Sequence, residues 1–227
     1  MPLPVTLARA DTPHGEVALR RRGGVVELIV NGVFAMDSAE TASELALADA
    51  APLGRVLVGG LGLGYTAARL LDRGARHVDV VELAGPLLDW ARAGLVEPLG
   101  RVAADPRVTL HHADIADWIA DRPGPWDAVL LDVDNGPSFL IHDHNARVYD
   151  ATLLAAFVER LAPGGVLLVW CEARSPALLT TLDAVLAARA GSRSGAGPTP
   201  RASEIIVPVR REGRRFDYAL YRAERPQ

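Results

Sequence analysis

Acidic side chains follow three short apolar runs of the chain, at the points where those runs end. They are Glu82, Asp114 and Asp132, and Asp134 lies two residues beyond the last of them. If the runs are parallel strands of one sheet, their carboxyl ends meet at one edge, where open α/β sheets bind their ligands. Carboxylates there can accept hydrogen bonds and take up protons. The sequence therefore predicts a binding edge with several acids.

A glycine-rich turn precedes these acids. The stretch RVLVGGLGLG over residues 55–64 is typical of a strand, a tight turn and the start of a helix. Gly60, Gly62 and Gly64 would let the backbone approach a ligand closely, although a purely structural turn is the alternative. Read from Gly62, the sequence also fits the relaxed dinucleotide pattern G-x-G-x-x-A. The glycines alone therefore do not choose between NAD and an adenosylmethionine-type ligand.

The position of each acid suggests a role. Glu82 stands about 20 residues after the glycines, where a carboxylate can accept both ribose hydroxyl hydrogens. Asp114 can accept a hydrogen bond from an adenine amino group, cap the helix that follows, or do both. Asp132 and Asp134 can each hold a substrate amine or remove its proton, and turn formation is the alternative for both. We therefore predict a nucleoside site beside a pair of catalytic acids.

Further candidates lie between the fourth strand and the next helix. His142 and His144 flank Asp143 in a loop, where they could contact the substrate, remain solvated or bind a metal. An H-x-H pair in a loop is not a specific metal signature, so we expect no metal site. Tyr149 is predicted at the start of the next helix, where it would cover the site.

The elements that would position these residues fall into two parts. We predict a small N-terminal β segment over residues 1–37, with two or three strands and a positive-φ turn at Asn31-Gly32. A Rossmann-like nucleoside-binding domain is predicted over residues 38–227, opening with a helix capped by Ser38. Its parallel strands are expected at residues 56–58, 78–81, 108–111, 128–131 and 166–170. Helices are expected to start near Tyr65, Pro86, Asp114, Asn145 and Pro176.

The C-terminal part departs from this alternation. Residues 204–210 and 215–221 are predicted as an antiparallel hairpin, after a loop over residues 191–200. The predicted fold class is thus α/β, a mostly parallel sheet with a C-terminal antiparallel hairpin, preceded by a small β-meander.

Composition excludes several classes of protein. The chain has 227 residues and a formal net charge of −4, so it is poorly equipped to bind nucleic acid. Its single cysteine, Cys171, allows neither an intrachain disulfide nor a zinc site built on cysteines. No apolar run approaches the roughly 20 residues that span a bilayer, and residues 1–11 lack the pattern of a secretory signal. We therefore expect a cytoplasmic protein without membrane partners.

The order of the motifs resembles the class I methyltransferase fold, and more narrowly its spermidine synthase-like branch. The motifs are VGGLGLG, VVEL, HAD, LLDVDNGP and LAPGG, within a region from about Gly32 to Trp170. The resemblance implies that the glycine loop and Glu82 hold the nucleoside of S-adenosylmethionine or its decarboxylated form. It also implies that Asp114 reads adenine, that Asp132 lies on a loop gating the reaction centre, and that the protein is a homodimer.

The chain also departs from that branch. Its members carry an Asp-Glu-x-x-Tyr-x-Glu stretch, and here Glu40 and Glu44 occupy related places without the tyrosine. An aspartate that grips the cofactor's amine is replaced by Gly62. We therefore predict a sulfonium-dependent transferase that moves a methyl or aminopropyl group to an amine or hydroxyl of a small molecule. A non-catalytic nucleoside-binding module and an NAD-binding oxidoreductase are the alternatives.

Overall fold

A computed structural model describes residues 3–133, 135–137, 139–191, 201–211 and 213–227 of the chain. Asp134 and all but the first residue of the loop predicted over residues 191–200 lie outside the described residues. The first part of the chain forms a four-stranded antiparallel sheet whose strands pair in sequence order. Its strands are β1 (Val5–Thr12), β2 (Gly15–Arg22), β3 (Val25–Val30) and β4 (Val33–Asp37).

The N-terminal sheet differs from its prediction by one strand. The turn at Asn31-Gly32 is confirmed, with φ angles of 52° and 75°. The additional strand is β1, which occupies one edge of the sheet and keeps no fully buried residue. Burial on one face is what produces an alternating apolar pattern, so an exposed edge strand lacks that signal.

The second sheet has seven strands in the order β10-β11-β9-β8-β5-β6-β7. Strands β5 to β9 run parallel, and the hairpin of β10 and β11 joins antiparallel to β9, so the predicted fold class is confirmed. The chain order reverses between β5 and β8, and such switch points open a crevice at the carboxyl ends of the strands. The strands are β5 (Arg55–Gly59), β6 (His77–Glu82), β7 (Val108–His112), β8 (Trp126–Leu131), β9 (Leu161–Cys171), β10 (Ser203–Arg211) and β11 (Arg214–Glu224).

Helices connect the strands on both faces of this sheet. They are α1 (Ala42–Asp49), α2 (Tyr65–Asp72), α3 (Gly85–Arg92), α4 (Leu99–Ala104), α5 (Ile115–Trp118), α6 (Ala151–Glu159) and α7 (Pro176–Gly191). Short 3-10 helices occupy Ile119–Asp121 and Asp143–Tyr149. The second of these is named here the 3-10 segment, and it precedes the helix predicted to start near Asn145, which begins only at Ala151 as α6. None of the described helices is long and apolar enough to cross a membrane.

The predicted helix cap at Ser38 is wrong. The Ser38 hydroxyl accepts a hydrogen bond from the backbone N–H of Val26 at 2.9 Å, which ties β3 to the chain after β4. Helix α1 begins only at Ala42, and Thr41 stands at its cap position. A serine can satisfy a strand N–H as well as a helix N–H, and only the tertiary fold decides which is within reach.

The central strands are buried on both faces. Val56, Val58 and Leu130 belong to the core that includes the N-terminal sheet, while Leu57 and Val129 belong to the core beneath α5, α6 and α7. This arrangement fixes the backbone of the central strands. The rigid strands therefore fix the positions of the residues that follow their carboxyl ends.

Candidate functional site

A cleft of about 230 Å³ lies between the N-terminal sheet and the carboxyl ends of the parallel strands. Its described lining includes histidines, His14 and His142, but neither arginine nor lysine. The carboxylates in that lining come from both sheets and from helix α1, and they are Glu16, Glu44, Glu82, Asp114, Asp132 and Glu172. Because acids dominate the charge of the lining, the cleft favours a cationic ligand.

The predicted glycines form the turn at the base of this cleft. Gly60, Gly62 and Gly64 have φ angles of 90°, 53° and 87°, which side-chain-bearing residues rarely adopt. A Cβ on Gly60 would collide with the backbone carbonyl oxygen of Asp132, and one on Gly62 would lie 2.7 Å from the sulfur of Met36. The turn therefore requires glycine both for its conformation and for the close approach of neighbouring groups.

We expect Gly60→Ala to unfold at a markedly lower temperature than Gly74→Ala. Both positions have φ near 90°, but a Cβ on Gly74 would meet no atom within 4 Å. Gly74→Ala should lose roughly 1–2 kcal/mol of stability, the cost of the left-handed backbone. Gly60→Ala should lose more because the carbonyl of Asp132 must also move. Equal losses in thermal denaturation would show that the close approach at Gly60 is unimportant.

Glu82 ends strand β6 with its carboxylate fixed by the backbone. One oxygen accepts from the N–H of Leu61 and the other from the N–H of Ala84, each at 2.8 Å. The residue is 9% exposed, and this burial raises the pKa of its carboxyl group. The backbone hydrogen bonds act in the opposite direction and lower that pKa. Each carboxylate oxygen has about two acceptor positions. The backbone N–H of Leu83 also interacts with this carboxylate, which keeps acceptor capacity for a further donor such as a ribose hydroxyl.

Asp132 follows β8 and carries a strongly shifted carboxyl group. Burial raises its pKa to about 6, although the Thr66 hydroxyl donates a hydrogen bond to Oδ2 at 2.6 Å and favours the charged form. Its backbone N–H donates to the carbonyl of Gly59 at 2.9 Å, which places the acid directly beside the glycine turn. A carboxylate with such a pKa can exchange a proton near neutral pH. The other predicted acid, Asp134, lies outside the described residues.

Asp114 caps helix α5, because its Oδ1 accepts from the N–H of Ala116 at 2.8 Å. Its Oδ2 accepts from the Arg147 guanidinium at 2.7 Å and lies 3.7 Å from the ring of His144. The cap does not remove Asp114 from the cleft, since the residue is part of the lining. Its position is thus compatible with both of the roles considered from the sequence.

The 3-10 segment and the loop before it cover one side of the cleft. His142 lines the cleft and lies 3.4 Å from the side-chain amide nitrogen of Asn31 in the N-terminal sheet. The ring of His144 lies 5.3 Å from that of His14 and 5.5 Å from that of His142, between centroids. Tyr149 ends the 3-10 segment, and its hydroxyl donates to the carbonyl of Val133 at 2.7 Å. These contacts join the loop to both sheets.

The structure does not bring Glu40 into the cleft. Its carboxylate accepts from the N–H of Ala42 at 2.9 Å, at the start of α1. Glu44, four residues later and within α1, lines the cleft instead and is 8% exposed, and the Ser43 hydroxyl donates a hydrogen bond to it at 2.7 Å. Glu40 precedes the first residue of α1, Ala42, whereas Glu44 lies in its first turn, so the two glutamates do not share a helix face.

Other residues of the lining carry no signal in the sequence that predicts their place in the cleft. Met36 lines the cleft, and its sulfur accepts a hydrogen bond from the N–H of Leu63 at 3.2 Å. Trp170 and Tyr218 are both part of the lining and pack edge to face, with ring centroids 5.2 Å apart. Their strands were predicted, but the pairing that brings them together is a long-range feature. Among the described residues, no three His, Cys, Asp or Glu side chains are placed to hold a metal ion.

Comparison with known proteins gives sequence and structural relatives. No known family model matches the chain. A polyamine aminopropyltransferase of Synechococcus sp. (strain JA-3-3Ab) is 31% identical over 142 residues, which are 59% of this chain and 45% of that protein. The chain therefore spans less than half the length of this curated relative.

Two solved structures are similar over 97% of the chain. The spermidine synthase of Thermotoga maritima has a TM-score of 0.70 at 14% identity, with 72% of it covered. A spermidine synthase in complex with the transition state analogue AdoDATO has a TM-score of 0.71 at 16% identity, with 73% covered. Identity this low carries the fold and not the activity. The resemblance stated from the motifs is confirmed at this level: the chain has the spermidine synthase fold.

Proposed function

We propose that the protein transfers an aminopropyl group from decarboxylated S-adenosylmethionine to an amine of a small molecule. The observation that carries this proposal is the charge of the cleft, whose described lining holds six carboxylates and neither arginine nor lysine. Both proposed substrates are cations, and an acidic cleft raises their local concentration. The name of the curated relative, a polyamine aminopropyltransferase, supports the same acceptor class.

The charge of the cleft also bears on the choice of donor. S-Adenosylmethionine carries a carboxylate that its decarboxylated form lacks. In a cleft lined by Glu16, Glu44 and Glu172 besides the nucleoside-side acids, that carboxylate would face like charges without a lysine or arginine in the described lining. Like charges at close range disfavour binding. The decarboxylated donor, with an ammonium at the same end, suits the cleft better.

The proposed reaction is a single displacement. The amine nitrogen attacks the propyl carbon attached to the sulfonium sulfur, a C–N bond forms, and the C–S bond breaks. The electron pair of that bond stays on sulfur, which leaves as the neutral thioether methylthioadenosine. The proton of the attacking amine passes to Asp132, whose pKa of about 6 suits a general base near neutral pH. Orientation of the two substrates supplies the rest of the rate.

The nucleoside is proposed to lie along the strand tips. Glu82 would accept from the ribose with the acceptor capacity that the backbone N–H groups of Leu61, Leu83 and Ala84 leave open. Asp114 would accept from the adenine amino group, and the glycine turn would let the backbone approach the donor. Asp134 remains a predicted second acid on the same loop as Asp132.

Methyl transfer from S-adenosylmethionine is the second candidate, and Gly62 favours it. An aspartate at this position holds the donor's amine in spermidine synthase-like proteins, whereas here the sulfur of Met36 lies 2.7 Å from where a Cβ would stand. The cleft thus lacks the aspartate that would bind the amine of an aminopropyl donor at this position. Glu16 and Glu44 are the carboxylates of the N-terminal part that could replace it, since both line the cleft.

The experiment supplies each donor with a set of diamines and monoamines and identifies the thioether product by mass spectrometry. Aminopropyl transfer releases methylthioadenosine from the decarboxylated donor, whereas methyl transfer releases S-adenosylhomocysteine from the other. We expect methylthioadenosine, formed in step with an amine heavier by one aminopropyl unit. S-Adenosylhomocysteine as the sole product would replace the proposal by methyl transfer, and binding without either product would support the non-catalytic module.

The pH dependence of the reaction offers a test of the Asp132 assignment. We expect kcat/KM to rise with pH through about 6, since the deprotonated carboxylate is the base. Thr66→Val removes the hydroxyl that favours the charged form, so this acid limb should move to higher pH. Thr66→Ser keeps a hydroxyl and should leave the limb in place. An identical profile in all three proteins would assign the limb to another group.

Three further predictions stay proposals. The domain boundary at residue 37 coincides with the last residue of β4, Asp37, which supports it. The homodimer and the cytoplasmic location follow from the resemblance and from the composition of the chain. Gel filtration with light scattering would test the first of these two, and cell fractionation the second.

A further inference from the structure

Arg147 lies outside the described lining of the cleft and hydrogen-bonds to the carboxylate of Asp114, which is part of that lining. It belongs to the 3-10 segment, and its guanidinium donates to Asp114 at 2.7 Å and to both oxygens of Asp117 at 2.8 and 3.0 Å. The Arg147 side chain is 43% exposed and that of Asp117 72%, whereas that of Asp114 is 15% exposed. The exposed pair Arg147–Asp117 thus anchors a contact to an acid that lines the cleft.

This contact determines how Asp114 can present itself to a ligand. Oδ1 is held by the N–H of Ala116 and Oδ2 by Arg147, with His144 at 3.7 Å from the same oxygen. A carboxylate whose two oxygens are each held by a donor cannot rotate freely. An ionised carboxylate has acceptor positions and no donor. Asp114 therefore presents hydrogen-bond acceptors in a fixed position to a ligand in the cleft.

Acceptors in a fixed position discriminate between purines by the group at position 6. A 6-aminopurine offers an N–H to the carboxylate at position 6, whereas a 6-oxopurine has a carbonyl oxygen there and carries its N–H on N1, so a carboxylate fixed opposite position 6 would face another acceptor. A site built to bond one group rejects an analogue that lacks it, because the buried polar group is then left unpaired. The strictness of that rejection depends on how firmly the acceptor is held.

We propose that Arg147 is a positioning residue that makes the cleft selective for 6-aminopurine nucleosides over 6-oxopurine nucleosides by fixing Asp114. The proposal rests on the proposed function, because it assumes that a purine nucleoside occupies the cleft with its base at Asp114. It assigns to the 3-10 segment a role in donor recognition besides that of covering one side of the cleft. Arg147 itself is not part of the described lining.

The test is a calorimetric titration with methylthioadenosine and methylthioinosine, which differ in the group at position 6 and in the hydrogen that the 6-oxopurine carries on N1. The wild-type protein should prefer methylthioadenosine. In Arg147→Met the ratio of the two affinities should fall about tenfold, the size of a hydrogen bond to a charged group. Asp117→Asn weakens the anchor of Arg147 without touching the cleft lining, so the ratio should fall in the same direction and by less.

Arg101→Met is the matched control. Arg101 forms a similar two-bond pair with Asp72 on other helices, at 2.6 and 3.3 Å, and its loss should leave the ratio unchanged. A purely structural role of Arg147 would lower the melting temperature and keep the ratio. An unchanged ratio in both Arg147→Met and Asp117→Asn would therefore overturn the inference. A wild-type protein that binds neither nucleoside would overturn the proposed function, and this inference with it.

Discussion

Asp132→Asn is expected to lower turnover by ~10²–10⁴-fold, the usual contribution of a general base, while nucleoside affinity stays nearly unchanged. The amide is the same size as the carboxylate and can still accept from the Thr66 hydroxyl. It cannot take up the proton of the attacking amine. Rapid-quench turnover and calorimetric titration of methylthioadenosine would separate the two effects.

The matched control for this variant is Asp127→Asn, the same change near the opposite end of strand β8. Asp127 accepts from the backbone N–H of Arg55 at 2.7 Å and does not belong to the described lining of the cleft. Its replacement should leave turnover close to that of the wild type. If Asp132→Asn also turned over at the wild-type rate, Asp132 would have no catalytic role.

Glu82→Gln is expected to weaken nucleoside binding by about tenfold or more, since hydrogen bonds to charged groups contribute roughly 1.5–3 kcal/mol. The amide offers one acceptor oxygen where the carboxylate offers two. Its NH₂ group would also face a backbone N–H, because Leu61 and Ala84 donate to different oxygens of Glu82. We therefore expect a lower melting temperature together with the weaker binding, measured by calorimetry and thermal denaturation.

Glu159→Gln serves as the control for a glutamate outside the cleft. Its side chain is 61% exposed at the end of α6, and both affinity and melting temperature should stay near the wild-type values. Because Glu82→Gln changes stability as well, affinity is measured well below the melting temperature of the variant. Undiminished affinity there would contradict the assignment of Glu82 to the ribose.

The strand tips were predictable because local sequence determines them. Glu82 ends an apolar run, and the structure places it at the last position of β6. The positive φ angles of Gly60, Gly62 and Gly64 follow from the residue type and the tight turn. The parallel arrangement of five strands then brings the tips to one edge, and the near-continuous apolar runs indicate that arrangement. These features need no knowledge of which distant side chains meet.

The features that escaped prediction depend on contacts between distant parts of the chain. Thr66 and Asp132 are 66 residues apart, and their hydrogen bond arises only when β5 and β8 become neighbours. Arg147 reaches Asp114 across 33 residues from the 3-10 segment. The burial of Glu44 in the cleft lining was likewise not predictable, because the sequence of a helix does not show which distant elements pack against it. Such pairings set the chemistry of the site.

The most direct test of the central claim is a pair of calorimetric titrations, with methylthioadenosine and with NAD. A cleft with carboxylates at Glu82, Asp114 and Asp132, and without arginine or lysine in its described lining, should bind the uncharged thioether nucleoside. It should reject NAD, whose phosphates would face those acids. Binding of methylthioadenosine without NAD is the predicted result. Tight binding of NAD, with no response to methylthioadenosine, would contradict the account.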